Sequence, residues 1–193
     1  MKSFAEKLFR FRGYTPIPFL LAMIIFEQPS TLSMIVGVVL VALGEAIRLW
    51  GVAYAGSLTR VTGEVGAPEI IVAGPFAYVR NPLYVGNMLT YIGIGIMSNA
   101  LFPWLVFAAL LWFAFQYYQI VLLEEEFLQQ KFTTLYSEYR KAVPRFLPRL
   151  KPWRHNAQEN QKPNWNEAVR SEKRTFQALA LVLFIILLFW LVK

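Results

Sequence analysis

The chain has 193 residues, 56% of them hydrophobic and 16% charged, and its mean hydropathy is positive, so the composition indicates an integral membrane protein. Without cysteine and with a single histidine, the sequence excludes disulfides, thiolate zinc sites, a cysteine nucleophile and histidine metal clusters, and we predict no metal site. The net charge of +7 does not indicate nucleic-acid binding, because the basic residues lie mainly beside apolar stretches, where anionic lipid headgroups explain them better.

Five membrane spans are predicted, because a spanning helix needs about 20 mostly apolar residues. The predicted spans cover residues 14–26, 32–54, 83–97, 101–123 and 176–192. The first is short and holds two prolines, and its basic preface resembles the start of a signal peptide. No small-residue cleavage site follows it, so we predict an uncleaved helix.

Polar residues give further detail on two of these spans. Glu45 and Arg48 lie three residues apart on one face of the second span, where they can pair. Only Ser98, Asn99 and Ala100 separate the third span from the fourth. So tight a connection predicts an antiparallel helical hairpin.

The basic residues also predict the orientation. They occur before the first span, at Arg60 and Arg80, and through 131–174, whereas the turns at 27–31 and 98–100 have no Lys or Arg. With five spans, every basic segment falls on one side, which predicts a cytoplasmic N-terminus and a C-terminus across the membrane. We therefore expect a multi-pass protein of the inner (cytoplasmic) membrane, with residues 154–174 as a linker or surface segment.

The segment from Gly74 to Asn87 is too unusual for a simple connector. Pro82 suits the first position of a helix and keeps Asn81 out of helical geometry, so Asn81 is predicted to cap the third span. A helix start with free N–H groups beside Arg80 favours binding of a carboxylate or another anionic group. A capped membrane entry with an interfacial Arg and Tyr explains the same residues about as well.

Three carboxylates, Glu124, Glu125 and Glu126, follow the fourth span. Adjacent helical side chains point about 100° apart, so at least one carboxylate should face the neighbouring helices, where an acid is costly without a partner or a task. The alternative is an acidic collar in solvent. Apolar residues spaced by four, three and four from Leu128 to Tyr139 predict that the helix continues as an amphipathic element.

After this helix, Pro144 and Pro148 fold the chain back, and Arg145 lies on the turn. A site that binds only anionic lipid headgroups would have the same features. Together the two segments resemble the signature of the isoprenylcysteine carboxyl methyltransferase and phospholipid methyltransferase superfamily. That signature has Gly-Pro-Tyr, Arg-His-Pro-x-Tyr-x-Gly, a helical hairpin, Glu-Glu, Tyr-x-x-Tyr and Val-Pro-x-x-x-Pro. The matching residues are Gly74-Pro75, Arg80-Asn81-Pro82-Leu83-Tyr84-Val85-Gly86, Glu124-Glu125, Tyr136, Tyr139, Val143-Pro144 and Pro148.

The chain departs from this pattern at three positions. Phe76 stands where Tyr is usual, Asn81 where His is usual, and Thr133 where Gly often follows the Phe. An Asn side chain forms hydrogen bonds but does not titrate, so a proton carrier at position 81 is excluded.

The apolar spans predict an all-α integral membrane bundle of about five transmembrane helices, and the resemblance implies that it holds a cytoplasmic cofactor pocket. Residues 1–73 would hold the first two spans, 74–150 the methyltransferase core, and 151–193 a linker and the last helix. The implied cofactor is S-adenosyl-L-methionine, and the implied acceptor is a lipid or a lipidated small molecule or protein. The implied catalytic residues are Arg80, Glu124 and Glu125. The implied cofactor-binding residues are Tyr78, Asn81, Pro82, Tyr84, Gly86, Asn87, Glu125, Tyr136, Tyr139, Arg140, Pro144, Arg145 and Pro148.

Two kinds of acceptor fit the resemblance. An isoprenylcysteine-like carboxylate is ionised at neutral pH and needs no general base, whereas a phosphatidylethanolamine amine must lose a proton, for which a Glu would be the base. A nicotinamide-dependent membrane reductase and a membrane scaffold subunit with a decayed pocket are the competing hypotheses. On the methyltransferase hypothesis, Glu125→Gln and Arg80→Ala are each expected to abolish methylation and leave the protein folded.

Overall fold

The computed structural model describes residues 2–56 and 69–192, and within these the chain is all-α, as predicted, with no strand. Short 3-10 turns lie at Gly74–Ala77 and Asn156–Gln158. Arg60, which contributed to the predicted orientation, lies outside the described residues. The helices are α1 (Lys2–Phe11), α2 (Ile17–Ile25), α3 (Thr31–Ala55), α4 (Pro82–Ser98), α5 (Trp104–Lys131), α6 (Thr133–Ala142) and α7 (Trp165–Val192).

Three helices in the described part of the chain, α3, α5 and α7, are long and apolar enough to cross a membrane. The prediction of five spans is therefore wrong by this measure. At 1.5 Å per residue, the nine residues of α2 extend about 14 Å and the 17 residues of α4 about 26 Å, both less than the roughly 30 Å of a bilayer core. Each helix packs into the bundle through part of its apolar surface, since Met23 of α2 and Ile94 of α4 are buried.

Two pairs of glycines bring α3 and α4 into close contact. A Cβ atom on Gly44 would lie 2.7 Å from the carbonyl oxygen of Gly86, and one on Gly93 would lie 2.9 Å from that of Gly37. The partners in each helix are seven residues apart, so both pairs lie on one seam. Small residues at such a seam let two helix backbones approach closely inside a membrane.

The helical hairpin predicted between the third and fourth spans is confirmed by α4 and α5. Asn99 ends α4 in the left-handed conformation, with φ of 52°. This turn contacts the turn between α2 and α3, since the Gln28 N–H donates to the Ser98 carbonyl at 2.8 Å and the Asn99 side chain donates to the Gln28 carbonyl at 3.0 Å. The two turns that lack Lys and Arg thus share one end of the bundle, opposite to the end that holds Arg80.

The last helix begins earlier than predicted, since α7 starts at Trp165 within the segment 154–174 that was expected to be a linker. Asn164 accepts a hydrogen bond from the Glu167 N–H at 3.1 Å and so caps the helix start. Its own N–H donates to the Ala53 carbonyl at 2.7 Å, which fixes the start of α7 beside the end of α3. As a result, Glu172 lies inside α7 and is only 2% exposed.

Two hydrophobic clusters hold the helices together. The larger draws on all three predicted segments of the chain, through Leu8, Met23, Val41, Ile94, Phe113 and Ile186 among others. The smaller lies at the Arg80 end and joins α6 to the residues before α4, through Ile70, Val72, Tyr136, Tyr139 and Val143. Leu128, Phe132 and Leu135 pack against it, which confirms the apolar face predicted between residues 128 and 139, although the helix breaks at Phe132.

Candidate active site

A cavity of about 720 Å³ runs between the helices and reaches the Arg80 end of the bundle. A polar stripe on α4 lines it, because Tyr84, Asn87 and Thr90 follow one another at intervals of three residues and therefore share one helix face. The other polar lining residues include Arg12, Glu45, Arg48, Arg80, Asn81, Glu124 and Glu172. Apolar lining residues include Leu20, Ile94, Leu179 and Val182. The cavity thus offers one surface for a charged group and another for an apolar one.

Beside the cavity, Glu125 is clamped between two arginines. Its Oε1 accepts hydrogen bonds from Arg80 Nε at 3.0 Å and Nη2 at 2.8 Å, and also from Arg145 Nε at 3.1 Å. Its Oε2 accepts from Arg145 Nη2 at 2.6 Å. Glu125 is 6% exposed, so the three side chains form a largely buried network with both carboxylate oxygens occupied.

The chain after α6 closes over the start of α4. The Arg80 N–H donates to the Pro144 carbonyl at 2.9 Å, and Arg80 Nη1 donates to the carbonyls of Arg140 at 3.0 Å and Val143 at 2.5 Å. Asn81 occupies the predicted cap position, but its side chain makes no capping hydrogen bond and instead donates to the Arg145 carbonyl at 3.1 Å. The predicted cap is therefore corrected: Asn81 joins α4 to residues 143–148, which we call the roof segment.

Two tyrosines of α6, Tyr136 and Tyr139, pack in one hydrophobic cluster with Val143 of the roof segment. Tyr139 Oη donates to the Phe76 carbonyl at 2.7 Å, and the Tyr139 ring packs against Trp153 with centroids 5.4 Å apart. Burial raises the pKa of the Tyr139 phenol well above its usual range, and it raises the pKa of Tyr136 in the same way. Both phenols therefore stay neutral at physiological pH, and that of Tyr139 acts as a hydrogen-bond donor.

The three adjacent carboxylates of α5 have three different environments, as their helical spacing predicted. Glu125 is locked by arginines, Glu126 is exposed, and Glu124 faces the cavity. Tyr84 Oη donates to Glu124 Oε1 at 2.9 Å, and the Tyr84 ring stacks on Tyr117 with centroids 4.6 Å apart. Glu124 is thus the carboxylate of the three that can meet a bound ligand.

A second charged network lies along the cavity and was not predicted as part of a site. Arg48 Nη2 donates to Glu172 Oε2 at 2.6 Å, and Arg48 Nη1 donates to Asn87 Oδ1. Glu45 Oε1 lies 3.5 Å from Arg48 Nε and accepts a hydrogen bond from Thr90 Oγ1 at 3.0 Å. The sequence did show Glu45 and Arg48 as charges within an apolar span, which is a functional signal in a membrane protein. Nothing in the sequence pointed to Glu172.

All but one of the predicted site residues fall into two groups in the structure. Those that line the cavity are Arg80, Asn81, Pro82, Tyr84, Asn87 and Glu124. Those that form or support the roof segment are Tyr78, Glu125, Tyr136, Tyr139, Arg140, Pro144, Arg145 and Pro148. Gly86 belongs to neither group, because it faces Gly44 of α3.

The chain is similar to several known proteins. A family model described as Phospholipid methyltransferase matches residues 32–134, which is more than half of the chain. The chain is 31% identical over 145 residues to the cobalt-zinc-cadmium resistance protein CzcN of Cupriavidus metallidurans, a match that covers 72% of this chain and 62% of that protein. It is 29% identical over 119 residues to the nickel-cobalt-cadmium resistance protein NccN of Alcaligenes xylosoxydans xylosoxydans, covering 62% and 51% of the two chains.

A third relative has an enzyme name. The protein-S-isoprenylcysteine O-methyltransferase of Schizosaccharomyces pombe is 34% identical over 79 residues, which cover 41% of this chain and 33% of the relative. Each match therefore spans less than two thirds of the relative's own length. No solved structure matches the chain. Within residues 2–56 and 69–192, no group of three or more His, Cys, Asp and Glu side chains is arranged so that it could hold a metal ion.

Proposed function

The chain belongs to the phospholipid methyltransferase family, and from this membership we propose that it uses S-adenosyl-L-methionine to methylate a membrane-embedded acceptor. The acceptor is an isoprenylcysteine-like carboxylate or a lipid amine, carried by a lipid or by a lipidated small molecule or protein. The observation that carries the proposal is that Glu124 and Tyr84, two residues of the family signature, meet at the wall of a cavity that also has an apolar surface.

The position in the membrane and the division of the chain are part of the proposal. The N-terminus and the site face the cytoplasm, across the inner membrane from the C-terminus. The reason is that Arg80 and the roof segment, both basic, share one end of the bundle, whereas the turns at the other end lack Lys and Arg. Residues 74–150 form the methyltransferase core.

The residues of the cavity fit the proposed cofactor. A volume of about 720 Å³ is within the range of small-molecule sites, and the Arg80 end offers groups for each part of the molecule. Phe76 and Phe127 are aromatic surfaces for the adenine, Arg12 and Arg80 are cations for the carboxylate, and Glu124 is an anion for the sulfonium. Arg80 is engaged by Glu125 and two carbonyls, and Arg12, which donates to the Phe9 carbonyl at 2.9 Å, adds a second cation at the cavity wall.

When bound, S-adenosyl-L-methionine supplies an electrophilic methyl group that a nucleophile attacks in line. The acceptor would bond to this methyl carbon with its own electron pair, as the carbon–sulfur bond broke and left its electron pair on sulfur. The protein mainly aligns the two reactants and provides the electrostatic setting. For an amine acceptor, a proton must also leave the nitrogen, and Glu124 takes it, since both oxygens of Glu125 are occupied. A carboxylate acceptor needs no base.

Calorimetry on the purified full chain in detergent tests the cofactor. We expect saturable binding of S-adenosyl-L-methionine and none of NADPH. Saturable NADPH binding alone would instead indicate a reductase, and binding of neither compound would indicate a scaffold subunit. Incubating membranes with a radiolabelled methyl donor then identifies the acceptor from the labelled product.

A pair of variants tests the role of Glu124. We expect Glu124→Gln to lower methyl transfer to an amine acceptor by roughly 100-fold, a typical contribution of a general base. The neighbouring Glu126→Gln is the matched control, because Glu126 is exposed and is not among the residues that line the cavity. Equal transfer rates in the two variants would remove Glu124 from the mechanism.

A further inference from the structure

The second charged network lies deep in the bundle. Thr90, which donates to Glu45, is eight residues from the first residue of α4 and therefore about 12 Å inside the helix. Ionisable side chains at such depth in a membrane protein are costly and are retained where they have a task. Tyr84, Asn87 and Thr90 connect this network to Glu124 along about 9 Å of α4.

The hydrogen bonds of this network leave one acceptor atom over. Arg48 uses its two terminal nitrogens on Glu172 and Asn87, and its Nε, which is buried without a hydrogen-bond partner, lies 3.5 Å from Glu45 Oε1 in an ion pair. Glu45 Oε1 accepts from Thr90, but Glu45 Oε2 is buried and has no hydrogen-bond partner. A buried carboxylate oxygen without a partner is costly, so a ligand that donates a hydrogen bond there would be stabilised.

The charges and the apolar wall specify the ligand further. Glu45, Arg48 and Glu172 together carry a formal charge of −1, which disfavours a carboxylate at this position. The other charged groups that line the cavity lie away from this network. Arg80 and Glu124 are at the end of the bundle beside the roof segment, and Arg12 interacts electrostatically with Tyr84 and Glu124 there. Arg174 is exposed. The apolar lining residues Leu20, Ile94, Leu179 and Val182 leave room for an acyl or prenyl tail.

We propose that Glu45 binds the headgroup of the membrane-embedded acceptor, and that this headgroup is a hydrogen-bond donor, a protonated amine or a hydroxyl, attached to an apolar tail. Glu172 is a positioning residue: it holds Arg48, and Arg48 in turn holds Glu45. α7 is thereby part of the acceptor site. This inference rests on the proposed function, because the cavity must serve an acceptor for its headgroup site to matter.

Binding of three probes with the same tail tests the proposal without the cofactor. Hexadecylamine, hexadecanol and hexadecanoate are each offered to the full chain in phosphatidylcholine nanodiscs, and bound probe is counted by native mass spectrometry. We expect the amine or the alcohol to bind roughly tenfold or more tightly than the carboxylate. Equal or tighter binding of hexadecanoate would overturn the proposal.

Three variants locate the site. Glu45→Gln should weaken amine binding by roughly tenfold or more, whereas Glu159→Gln, at an exposed residue, should not change it. Glu172→Gln should shift the preference toward hexadecanoate, because it releases the Arg48 cation. A purely structural role of Glu172 would instead weaken all three probes equally, which would contradict its positioning role.

Folding and the proposed function are controlled separately. Each variant is checked by circular dichroism and size-exclusion chromatography. If Glu45→Gln does not fold, Glu45→Asp replaces it, and this variant should keep the preference for the amine at reduced affinity. Loss of that preference in a folded Glu45→Asp protein would overturn the proposal. Because no methyl donor is present, normal probe binding without methyl transfer would count against the proposed function alone.

Discussion

Neutralising Glu125 tests how the roof segment is held. In Glu125→Gln the four hydrogen bonds from Arg80 and Arg145, of 2.6 to 3.1 Å, lose their charged acceptor. Removing one partner of a buried ion pair costs about 3–5 kcal/mol, because the other charge remains buried. The Arg80 side chain is 8% exposed and is held among its partners, whereas that of Arg145 is 22% exposed and can turn outward. We therefore expect a loss near the lower limit, about 3 kcal/mol in the free energy of unfolding.

Equilibrium unfolding in mixed detergent micelles, followed by circular dichroism, measures this loss. Glu126→Gln is the control and should stay within about 0.5 kcal/mol of the unsubstituted chain, since Glu126 is exposed. A double-mutant cycle with Arg80→Ala should give a coupling of about 2 kcal/mol or more. If Glu125→Gln unfolds with the same free energy as the control, the network does not hold the roof segment.

This result would revise the expectation drawn from the sequence, in which Glu125→Gln and Arg80→Ala abolish methylation and leave the fold intact. The Arg80 side chain binds the Glu125 carboxylate and two backbone carbonyls that follow it in the chain, those of Arg140 and Val143. Its loss should therefore loosen the roof segment as well as the site. We expect activity and stability to fall together in both variants.

Two further substitutions test the packing. Gly44→Ala should destabilise the protein by about 1–3 kcal/mol in the same unfolding assay, because the added Cβ would meet Gly86 of α4. The control is Gly13→Ala, which should be neutral because a Cβ there has no atom within 4 Å. Equal effects of the two substitutions would argue against the glycine seam. Tyr139→Phe should lower the free energy of unfolding by about 1–2 kcal/mol, because the Phe76 carbonyl loses its hydrogen-bond donor. The control is Tyr14→Phe, at an exposed residue, which should leave the stability unchanged. Equal stability of the two variants would argue against the Tyr139 hydrogen bond.

Features set by local chemistry could be predicted from the sequence. Pro82 begins α4 because its ring fixes a helical φ and its missing N–H is not needed there. The predicted turn at Ser98, Asn99 and Ala100 is too short for anything but a hairpin, and the structure joins α4 to α5 through residues 99–103. The separation of Glu124, Glu125 and Glu126 into three environments followed from the 100° rotation per residue.

Features set by tertiary contacts could not be predicted. Asn81 has the composition of a cap, but its side chain binds a carbonyl 64 residues away. The polar residues before 176 favoured a linker, yet α7 extends through them because Glu172 meets Arg48, 124 residues earlier in the chain. Hydropathy also counted α2 as a span, although nine residues are too few to cross a bilayer.

The extent of the family match bears on where acceptor specificity resides. The matched residues 32–134 include α3 except its first residue and all of α4 and α5, which supply the polar stripe, Glu45, Arg48 and Glu124. The apolar wall uses Leu20 of α2 and Leu179 and Val182 of α7, which lie outside the match. A shared polar surface suits a shared reaction, whereas walls from unmatched helices can differ with the tail that each protein accepts. We therefore expect exchanges of α2 and α7 between relatives to change the choice of acceptor more than the ability to bind the methyl donor.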